Sequence, residues 1–227
     1  MKHLIPFIPK SISAVSRCRE IAEFVASCPD SSLVLAPELV LGGYSEFYAD
    51  DGFYDTLFKS CVGDKIIAFT RFTKCKNDKP KNELILLNQS GIIHSQAKSK
   101  LFLPNGEDKI FSKGSESGVV PFKFNGINIG ALICFELRFL QLWEQLVGAD
   151  IVLVPAMWGD GKRAQFEALC AGLAVINGAF VLAVSAGDGA CEVARVYLPD
   201  GTSADRALYD SSLAKNIAKA ICKDKNG

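Results

Sequence analysis

Three side chains of different chemical character, Glu38, Lys98 and Cys134, each stand at the end of a predicted β-strand. In α/β sheets, reactive groups gather beyond the carboxyl ends of strands, because loops converge there while the sheet holds them rigid. A thiolate can attack a carbonyl carbon, a cation can stabilise the resulting oxyanion, and a carboxylate can carry a proton to an amine leaving group. Together these residue types are sufficient for covalent cleavage of an amide bond.

Histidine is an alternative base for a cysteine nucleophile. The chain has two histidines: His3 lies near the amino terminus and His94 lies inside a predicted strand. Neither has neighbours that indicate a Cys–His site. We therefore favour the acid, lysine and thiol as the reactive set and keep a Cys–His pair as the alternative.

The elements that would position these residues alternate between helix-period and strand-period segments, which is typical of a layered α/β domain. The pattern predicts strands at residues 4–8, 32–36, 65–72, 82–87, 92–97, 122–124, 127–134, 150–154, 180–185 and 194–198. It predicts helices at 13–27, 137–147, 162–176 and 211–222, and a polar connection at 74–81. Hairpins mixed with strand–helix units indicate mixed sheets covered by helices. No linker composition divides the chain, so we expect one domain over residues 1–227.

The segment before Cys134 carries the strongest local signal. Asn125-Gly126 separates two apolar runs, and this dipeptide favours a tight β-hairpin. The second run continues to Cys134, which predicts that the cysteine ends a buried strand.

Composition limits the kinds of partner. Lys plus Arg equals Asp plus Glu at 25 each, so no net field attracts nucleic acid or an anionic membrane. Residues 168–186 are almost wholly apolar, but Asn177-Gly178 predicts a turn between a helix and a strand rather than a membrane span. A small-molecule partner is the expectation that remains.

The cysteines are spaced irregularly, without CxxC pairs or histidines at metal-ligand spacing, which argues against a zinc site. They are Cys18, Cys28, Cys61, Cys75, Cys134, Cys170, Cys191 and Cys222. The first ten residues carry two prolines and too short an apolar run for a signal peptide. We therefore expect reduced thiols and a cytoplasmic protein.

Three segments resemble the nitrilase superfamily of carbon–nitrogen hydrolases. Residues 37–44 (PELVLGGY) are similar to its glutamate segment, and residues 98–102 (KSKLF) to its lysine segment. Residues 133–139 (ICFELRF) resemble its nucleophile segment. Any one match is weak, but the three stand in the family's order with plausible separations.

The resemblance implies a four-layer α-β-β-α sandwich with two mixed β-sheets, commonly paired into a homodimer or a higher homo-oligomer through its helical layer. It implies hydrolysis of amides, carbamoyl compounds or nitriles without a metal or organic cofactor. The chain is shorter than the family pattern, and its end after Gly187 is hard to align. Substrate class and dimer geometry therefore stay open.

The resemblance also implies a role for each residue of the set. Cys134 would be the nucleophile, Glu38 the general base and then the general acid, and Lys98 the oxyanion stabiliser. Lys100 is the rival of Lys98, because residues i and i+2 of an extended chain share one face.

Further residues would support the site. Glu107 matches a second family glutamate that bonds the lysine or the substrate, although a solvated loop carboxylate is an alternative. The backbone N–H of Phe135 would share the oxyanion. Trp158 could form a pocket wall or belong to the core. We interpret Glu136 and Arg138 as an ion pair that holds the turn after the nucleophile.

The expected activity is hydrolysis of a small linear amide, such as an ω-amide of a dicarboxylic acid or an N-carbamoyl amine. An acidic substrate would need an arginine in the pocket, and Arg71, Arg163 and Arg195 are candidates. A catalytically silent scaffold subunit, an acyltransferase and a nitrilase are the alternatives, because pocket loops rather than the catalytic set decide specificity.

Overall fold

The computed structural model describes residues 1–45, 51–76 and 78–214. Its strands are β1 (His3–Pro6), β2 (Ser32–Leu35), β3 (Ile66–Cys75), β4 (Asp78–Asn88), β5 (Gly91–Ala97), β6 (Phe122–Phe124), β7 (Ile127–Ala131), β8 (Ile151–Ala156), β9 (Phe180–Ser185), β10 (Val193–Tyr197), β11 (Ser203–Ala204) and β12 (Ala207–Leu208). Its α-helices are α1 (Ala14–Ser27), α2 (Asp51–Ser60), α3 (Glu107–Ile110), α4 (Leu140–Gln145) and α5 (Arg163–Asn177). Short 3-10 helices span Leu103–Asn105, Glu116–Gly118, Cys134–Arg138 and Asp160–Lys162.

The strands form two mixed sheets with the same plan. The first has the order β12-β1-β2-β3-β4-β5 and the second has the order β11-β10-β9-β8-β7-β6. In the first sheet β1, β2 and β3 are parallel, and the remaining pairs are antiparallel. In the second sheet β7, β8 and β9 are parallel and the flanking pairs are antiparallel.

The two sheets face each other, and helices cover their outer sides. One apolar cluster joins inward side chains of both sheets, such as Leu35 and Leu153, to α5 residues such as Phe166. A second cluster packs the other face of the first sheet, including Phe69, against α1 and α2. This is the predicted four-layer α-β-β-α sandwich. Because both sheet faces are covered, every residue of β2, β8 and β9 is buried.

Several local predictions are confirmed with small changes in bounds. The hydroxyl of Ser13 caps α1 by accepting a hydrogen bond from the Ser16 N–H at 3.1 Å. Helix α5 ends at Gly178, whose φ of 59° is left-handed, and the chain returns directly as β9. Residues 168–186 are therefore a helix, a turn and a strand. In the part of the chain that the structure describes, no helix is long and apolar enough to cross a membrane.

The predicted polar connection at residues 74–81 is wrong. Strands β3 and β4 continue through it as a long antiparallel hairpin, in which Thr73 pairs with Lys81 and Cys75 pairs with Asp78. The ladder needs only backbone groups, so polar side chains that project to solvent do not end it. Residue 77 lies outside the described residues. Of the helix predicted at residues 211–222, residues 211–214 are helical, and the rest also lies outside them.

Candidate active site

Glu38 reaches the space between the sheets from the end of β2. Its side chain is 0% exposed, and the next residue, Leu39, has a left-handed φ of 48°. The Leu39 N–H donates to the hydroxyl of Thr70 on β3 at 2.6 Å. This bond holds the turn that directs the carboxylate inward.

Lys98 directly follows β5 and is also buried, at 1% exposure. Its N–H donates to the carbonyl of Asn82 at 2.8 Å, and its carbonyl accepts from Gly114 N–H at 2.7 Å. Its Nζ donates to Glu38 Oε1 and to Glu107 Oε1, each at 2.8 Å. Lys98 thus joins two carboxylates from distant parts of the chain.

Glu107, the first residue of α3, is fully engaged by its neighbours. Besides Lys98, its Oε1 accepts a hydrogen bond from the Tyr44 hydroxyl. Its Oε2 accepts from the Phe102 N–H at 2.7 Å. The alternative of a solvated loop carboxylate is wrong, because Glu107 is 0% exposed.

Cys134 lies three residues beyond β7, at the start of the 3-10 helix Cys134–Arg138. The predicted strand therefore ends earlier than expected, at Ala131. Cys134 has a left-handed φ of 53°, which is costly for a residue with a Cβ atom and common at functional sites. The sharp turn stops the chain from continuing as a strand and leaves the thiol buried at 6% exposure.

The thiol and the charged groups influence one another. Burial first, and then the negative charge of Glu38, raise the pKa of the Cys134 thiol well above its usual value, although Lys98 lowers it. Burial alone lowers the pKa of Lys98, but attraction to Glu38, Cys134 and Glu107 outweighs burial and raises it. At neutral pH the resting site therefore holds a neutral thiol beside an ammonium group.

The two carboxylate oxygens of Glu38 differ in their hydrogen bonds. Its Oε1 accepts hydrogen bonds from Lys98 and from the Asn82 Nδ2, each at 2.8 Å. Its Oε2 is buried and has no hydrogen-bond partner among the residues that the structure describes. An unsatisfied buried carboxylate oxygen is a strong acceptor, and the negative charge of this carboxylate is close enough to raise the pKa of the Cys134 thiol. Glu38 can therefore accept the thiol proton.

The rival cation and bases lie elsewhere. Lys100 pairs with Glu116 at 2.5 Å and lies over the Phe139 ring at 5.0 Å. His94 stacks on Phe122 with ring centroids 3.8 Å apart, and His3 belongs to β1. The structure thus brings Lys98, rather than Lys100, to Glu38.

The predicted ion pair between Glu136 and Arg138 is wrong. The guanidinium of Arg138 lies over the Trp158 ring at 4.4 Å and donates to Gln165 at 2.8 Å. Glu136 is 0% exposed and accepts hydrogen bonds from Ser99 and Ile133 instead. In a 3-10 helix, residues i and i+2 point in different directions, so these two side chains separate.

Phe135 and Trp158 flank the site in different ways. The Phe135 ring contacts Phe102 at 5.0 Å and Phe139 at 5.1 Å. Trp158 is buried and packs on Phe166 of α5 with centroids 5.4 Å apart. Its neighbours in sequence, Met157 and Gly159, line the cavity described next.

A cavity of about 810 Å³ opens beside Glu38. Tyr44, Met157, Arg17 and Asp188 also line it. Lys10 and Glu192, which also line it, form an exposed ion pair at 2.8 Å. The volume suits a small molecule.

Of the arginines considered from the sequence, none lines this cavity. Arg71 pairs with Glu83 at 3.0 Å, Arg195 pairs with Asp205 at 2.9 Å, and Arg163 bonds the Glu192 carbonyl. The arginine that lines it is Arg17, which sequence analysis missed because it reads as an ordinary polar position of an amphipathic helix. Asn82 and Tyr44 were also missed as site residues. Asn82 was interpreted only as the start of a strand, and Tyr44 only as the end of the segment that carries Glu38. Among the described residues, no group of three or more His, Cys, Asp or Glu could hold a metal ion.

Comparison with known proteins identifies the family of the chain. Residues 12–214 match the family model described as carbon-nitrogen hydrolase. The chain is 28% identical over 100 residues to the omega-amidase YafV of Escherichia coli, a match that spans 44% of this chain and only 38% of that protein.

Solved structures share the fold. A CN-hydrolase superfamily protein from Xanthomonas campestris superposes with a TM-score of 0.79 at 17% identity, covering 99% of this chain and 96% of that one. Nit3 of Saccharomyces cerevisiae, a member of the nitrilase superfamily, gives 0.76 at 19% identity over 96% and 93%. A mutant amidase from Nesterenkonia sp. AN1, whose active-site cysteine carries a Michael adduct of acrylamide, gives 0.75 at 17% identity over 99% of both chains. Because the family model covers nearly the whole described chain, this protein belongs to the carbon–nitrogen hydrolase family, as its sequence predicted.

Proposed function

We propose that this protein hydrolyses the carbon–nitrogen bond of a small linear ω-amide through a thioester on Cys134. The observation that carries the proposal is the buried contact of Lys98 with Glu38 and Glu107, beside a thiol whose pKa responds to both Lys98 and Glu38. Burying these charges together is costly. Such an arrangement is typical of a reaction centre rather than of a structural core.

The first half-reaction forms the thioester. Glu38 accepts the Cys134 proton as the sulfur attacks the amide carbonyl carbon. Lys98 and the Phe135 N–H stabilise the oxyanion that develops on the carbonyl oxygen. Glu38 then donates the proton to nitrogen, the carbon–nitrogen bond breaks, and ammonia leaves.

The second half-reaction releases the acid. Glu38, again a carboxylate, takes a proton from water as the water oxygen attacks the thioester carbon. The carbon–sulfur bond breaks, the proton returns to the sulfur, and a carboxylic acid departs. Atoms and charge balance with water as the only co-reactant.

The two buried carboxylates would have different roles in the reaction. Glu107 is already bonded by Lys98, Tyr44 and the Phe102 N–H, so it is a poor proton acceptor. Its part would be to orient Lys98 and keep it charged. The Oε2 of Glu38 accepts no hydrogen bond from the described residues, so Glu38 is better suited to move the proton.

Arg17 favours an acidic substrate. Its Nε donates to the Ser11 carbonyl at 2.9 Å, and its Nη1 donates to the carbonyls of Val40 and Leu41. Within the described chain it forms no ion pair with a carboxylate, whereas Lys10, the other basic residue lining the cavity, pairs with Glu192. A fixed guanidinium with spare charge suits a distal carboxylate, and the partial similarity to an ω-amidase points the same way.

The direct test is ammonia release from a panel of monoamides of short dicarboxylic acids, neutral amides of equal length and N-carbamoyl amino acids. We expect turnover by the wild type and a loss of about 10⁴-fold or more in Cys134→Ala. That variant should keep the wild-type circular dichroism spectrum, because it loses only a small side chain. Unchanged turnover in Cys134→Ala would refute the proposal.

Arg17→Met tests the substrate class. We expect KM for the acidic amides to rise about tenfold or more, while neutral amides keep their kinetics. Lys10→Met is the matched control, since its charge is already paired at the surface, and it should change neither. An equal loss for acidic and neutral amides would mean that Arg17 only supports the loop at Val40.

The same panel distinguishes the alternatives. A silent scaffold subunit would release no ammonia from any compound. An acyltransferase would transfer the acyl group to added amines more readily than to water, and product analysis would detect this. The single domain over residues 1–227, the homodimer and the cytoplasmic location stay predictions; light scattering of the purified chain tests the homodimer.

A further inference from the structure

Glu136 is a buried carboxylate that the mechanism does not use. It lies in the 3-10 helix Cys134–Arg138 and is 0% exposed. Its Oε1 accepts from the N–H and the hydroxyl of Ser99, at 2.6 and 2.7 Å, and its Oε2 accepts from the Ile133 N–H at 2.6 Å. All three donors are neutral, so Glu136 is held by hydrogen bonds rather than by an ion pair, although Lys98 is close enough to act on the pKa of its carboxyl group.

The residues that donate to Glu136 are sequence neighbours of Lys98 and Cys134. Ser99 directly follows Lys98, and Ile133 directly precedes Cys134. Lys98 comes from the end of β5 in the first sheet, and Cys134 comes from the segment after β7 in the second. One side chain therefore ties the two segments that carry the ammonium group and the thiol.

We propose that Glu136 is a positioning residue that sets the distance and orientation between the Lys98 ammonium group and the Cys134 sulfur. It acts through Ser99 and Ile133 rather than on the substrate. The inference rests on the proposed function, because it takes Cys134 as the nucleophile and Lys98 as the oxyanion stabiliser.

Glu136 also restrains the turn at Cys134. Its N–H donates to the Ile133 carbonyl at 3.1 Å, while its carboxylate accepts from the Ile133 N–H. These two bonds close a ring around Cys134, whose φ of 53° is unfavourable for a residue with a Cβ atom. Without them the backbone would have a reason to relax and carry the sulfur away from Lys98.

A carboxylate suits this position better than an amide. Three donors converge on the two oxygens, so both oxygens must accept. Glutamine has one oxygen and one NH₂ group, and the NH₂ group would meet a donor at either Ser99 or Ile133. The isosteric substitution Glu136→Gln therefore breaks the connection at one end while preserving volume.

The experiment compares wild type, Glu136→Gln and Ser99→Ala in the full chain. For each we would measure kcat and KM for the best amide of the panel, the thermal unfolding midpoint, and the rate at which iodoacetamide alkylates Cys134, read by peptide mass spectrometry. Half-exposed Cys75 is the internal reference for reagent activity.

In Glu136→Gln we expect kcat to fall about 10- to 100-fold with KM within about twofold, as happens when a reacting group is misplaced by a fraction of an ångström. Alkylation of Cys134 should slow while that of Cys75 stays the same. Ser99→Ala loses only the hydroxyl contact and should show the same pattern more weakly, which keeps the test available if Glu136→Gln does not fold.

Asp150→Asn is the control for a purely structural loss. Asp150 accepts from the Asn128 N–H at 2.8 Å, at the opposite end of β7 and β8 from Cys134. This variant should lower the unfolding midpoint and leave kcat and Cys134 alkylation at wild-type values.

The outcomes separate the two proposals. Wild-type kcat and alkylation in folded Glu136→Gln and Ser99→Ala, whatever their unfolding midpoints, overturn the positioning role alone. If the wild type hydrolyses no amide of the panel, the proposed function fails and the positioning role falls with it.

Discussion

The charged side and the thiol side of the site are held in place by different means. On the charged side, Lys98 joins Glu38 and Glu107 by bonds between side chains at 2.8 Å. On the thiol side, Cys134 is placed by a left-handed backbone and by the bonds of Glu136 to neighbouring backbone groups. Opposite charges can orient one another, whereas a neutral thiol forms only weak hydrogen bonds and depends on the chain that carries it.

The two sheets place Glu38 and Cys134 by the same means. Each contributes its reactive residue just after a parallel strand, β2 for Glu38 and β7 for Cys134. In each case a left-handed residue, Leu39 or Cys134 itself, turns the chain sharply. The difference between the two sides thus lies in what holds the side chains, and substitutions on each side should have different consequences.

The largest expected effect is on the charged side. Lys98→Met leaves Glu38 and Glu107 buried without their cation, so we expect the free energy of unfolding to fall by about 3–5 kcal/mol and turnover to be lost. Because the pKa of Lys98 is raised in the folded protein, its contribution is fully present below the pKa of an unfolded lysine, about 10.4, and is lost only above it. Urea unfolding from neutral to alkaline pH measures the loss of stability and its pH dependence. Ammonia release from the amide panel measures the loss of turnover.

The control is Lys100→Met, two positions away. Lys100 is partly exposed and paired with Glu116, and such pairs contribute little, so we expect a loss below about 1 kcal/mol. If Lys98→Met were as stable and active as Lys100→Met, the distinction between the two lysines would be wrong.

Glu38→Gln connects the two sides. Turnover should fall about 10²- to 10⁴-fold, because the proton acceptor is removed. At the same time the pKa of the Cys134 thiol should fall, since burial is then the main remaining cause that raises it and Lys98 still lowers it. Thiolate absorbance in the ultraviolet, taken against a Glu38→Gln/Cys134→Ala baseline, would measure the change. A thiol that titrates at the wild-type pH would argue against direct contact between Glu38 and Cys134.

The smallest effect should come from Arg138→Gln. This variant loses the contact over Trp158 and the bond to Gln165, and we expect a loss of less than about 1 kcal/mol with turnover within about twofold. A loss of turnover as large as that in Glu136→Gln would mean that Arg138 supports the nucleophile after all. Thermal unfolding and steady-state kinetics of the two variants give the comparison.

Periodicity predicted most strands and helices, because each of them buries one or both of its faces along its whole length. It missed β11 and β12, which have only two residues each and therefore show no pattern. It ended β3 too early and began β4 too late, because polar side chains on a hairpin look like a loop. The buried Glu136 was interpreted as one half of an ion pair that holds the turn after Cys134, because sequence offsets do not specify the directions of side chains in a 3-10 turn.

The sequence by itself determined the layered α/β class and the family, and it singled out the acid, lysine and thiol as candidates, because these depend on local patterns and short motifs. Only the tertiary structure decided that Lys98 rather than Lys100 meets Glu38, that Arg17 rather than the other arginines lines the cavity, and that Glu136 bonds Ser99. Each of these depends on which backbone segments the two sheets bring together, and contacts between segments so far apart in the chain follow from packing rather than from local sequence.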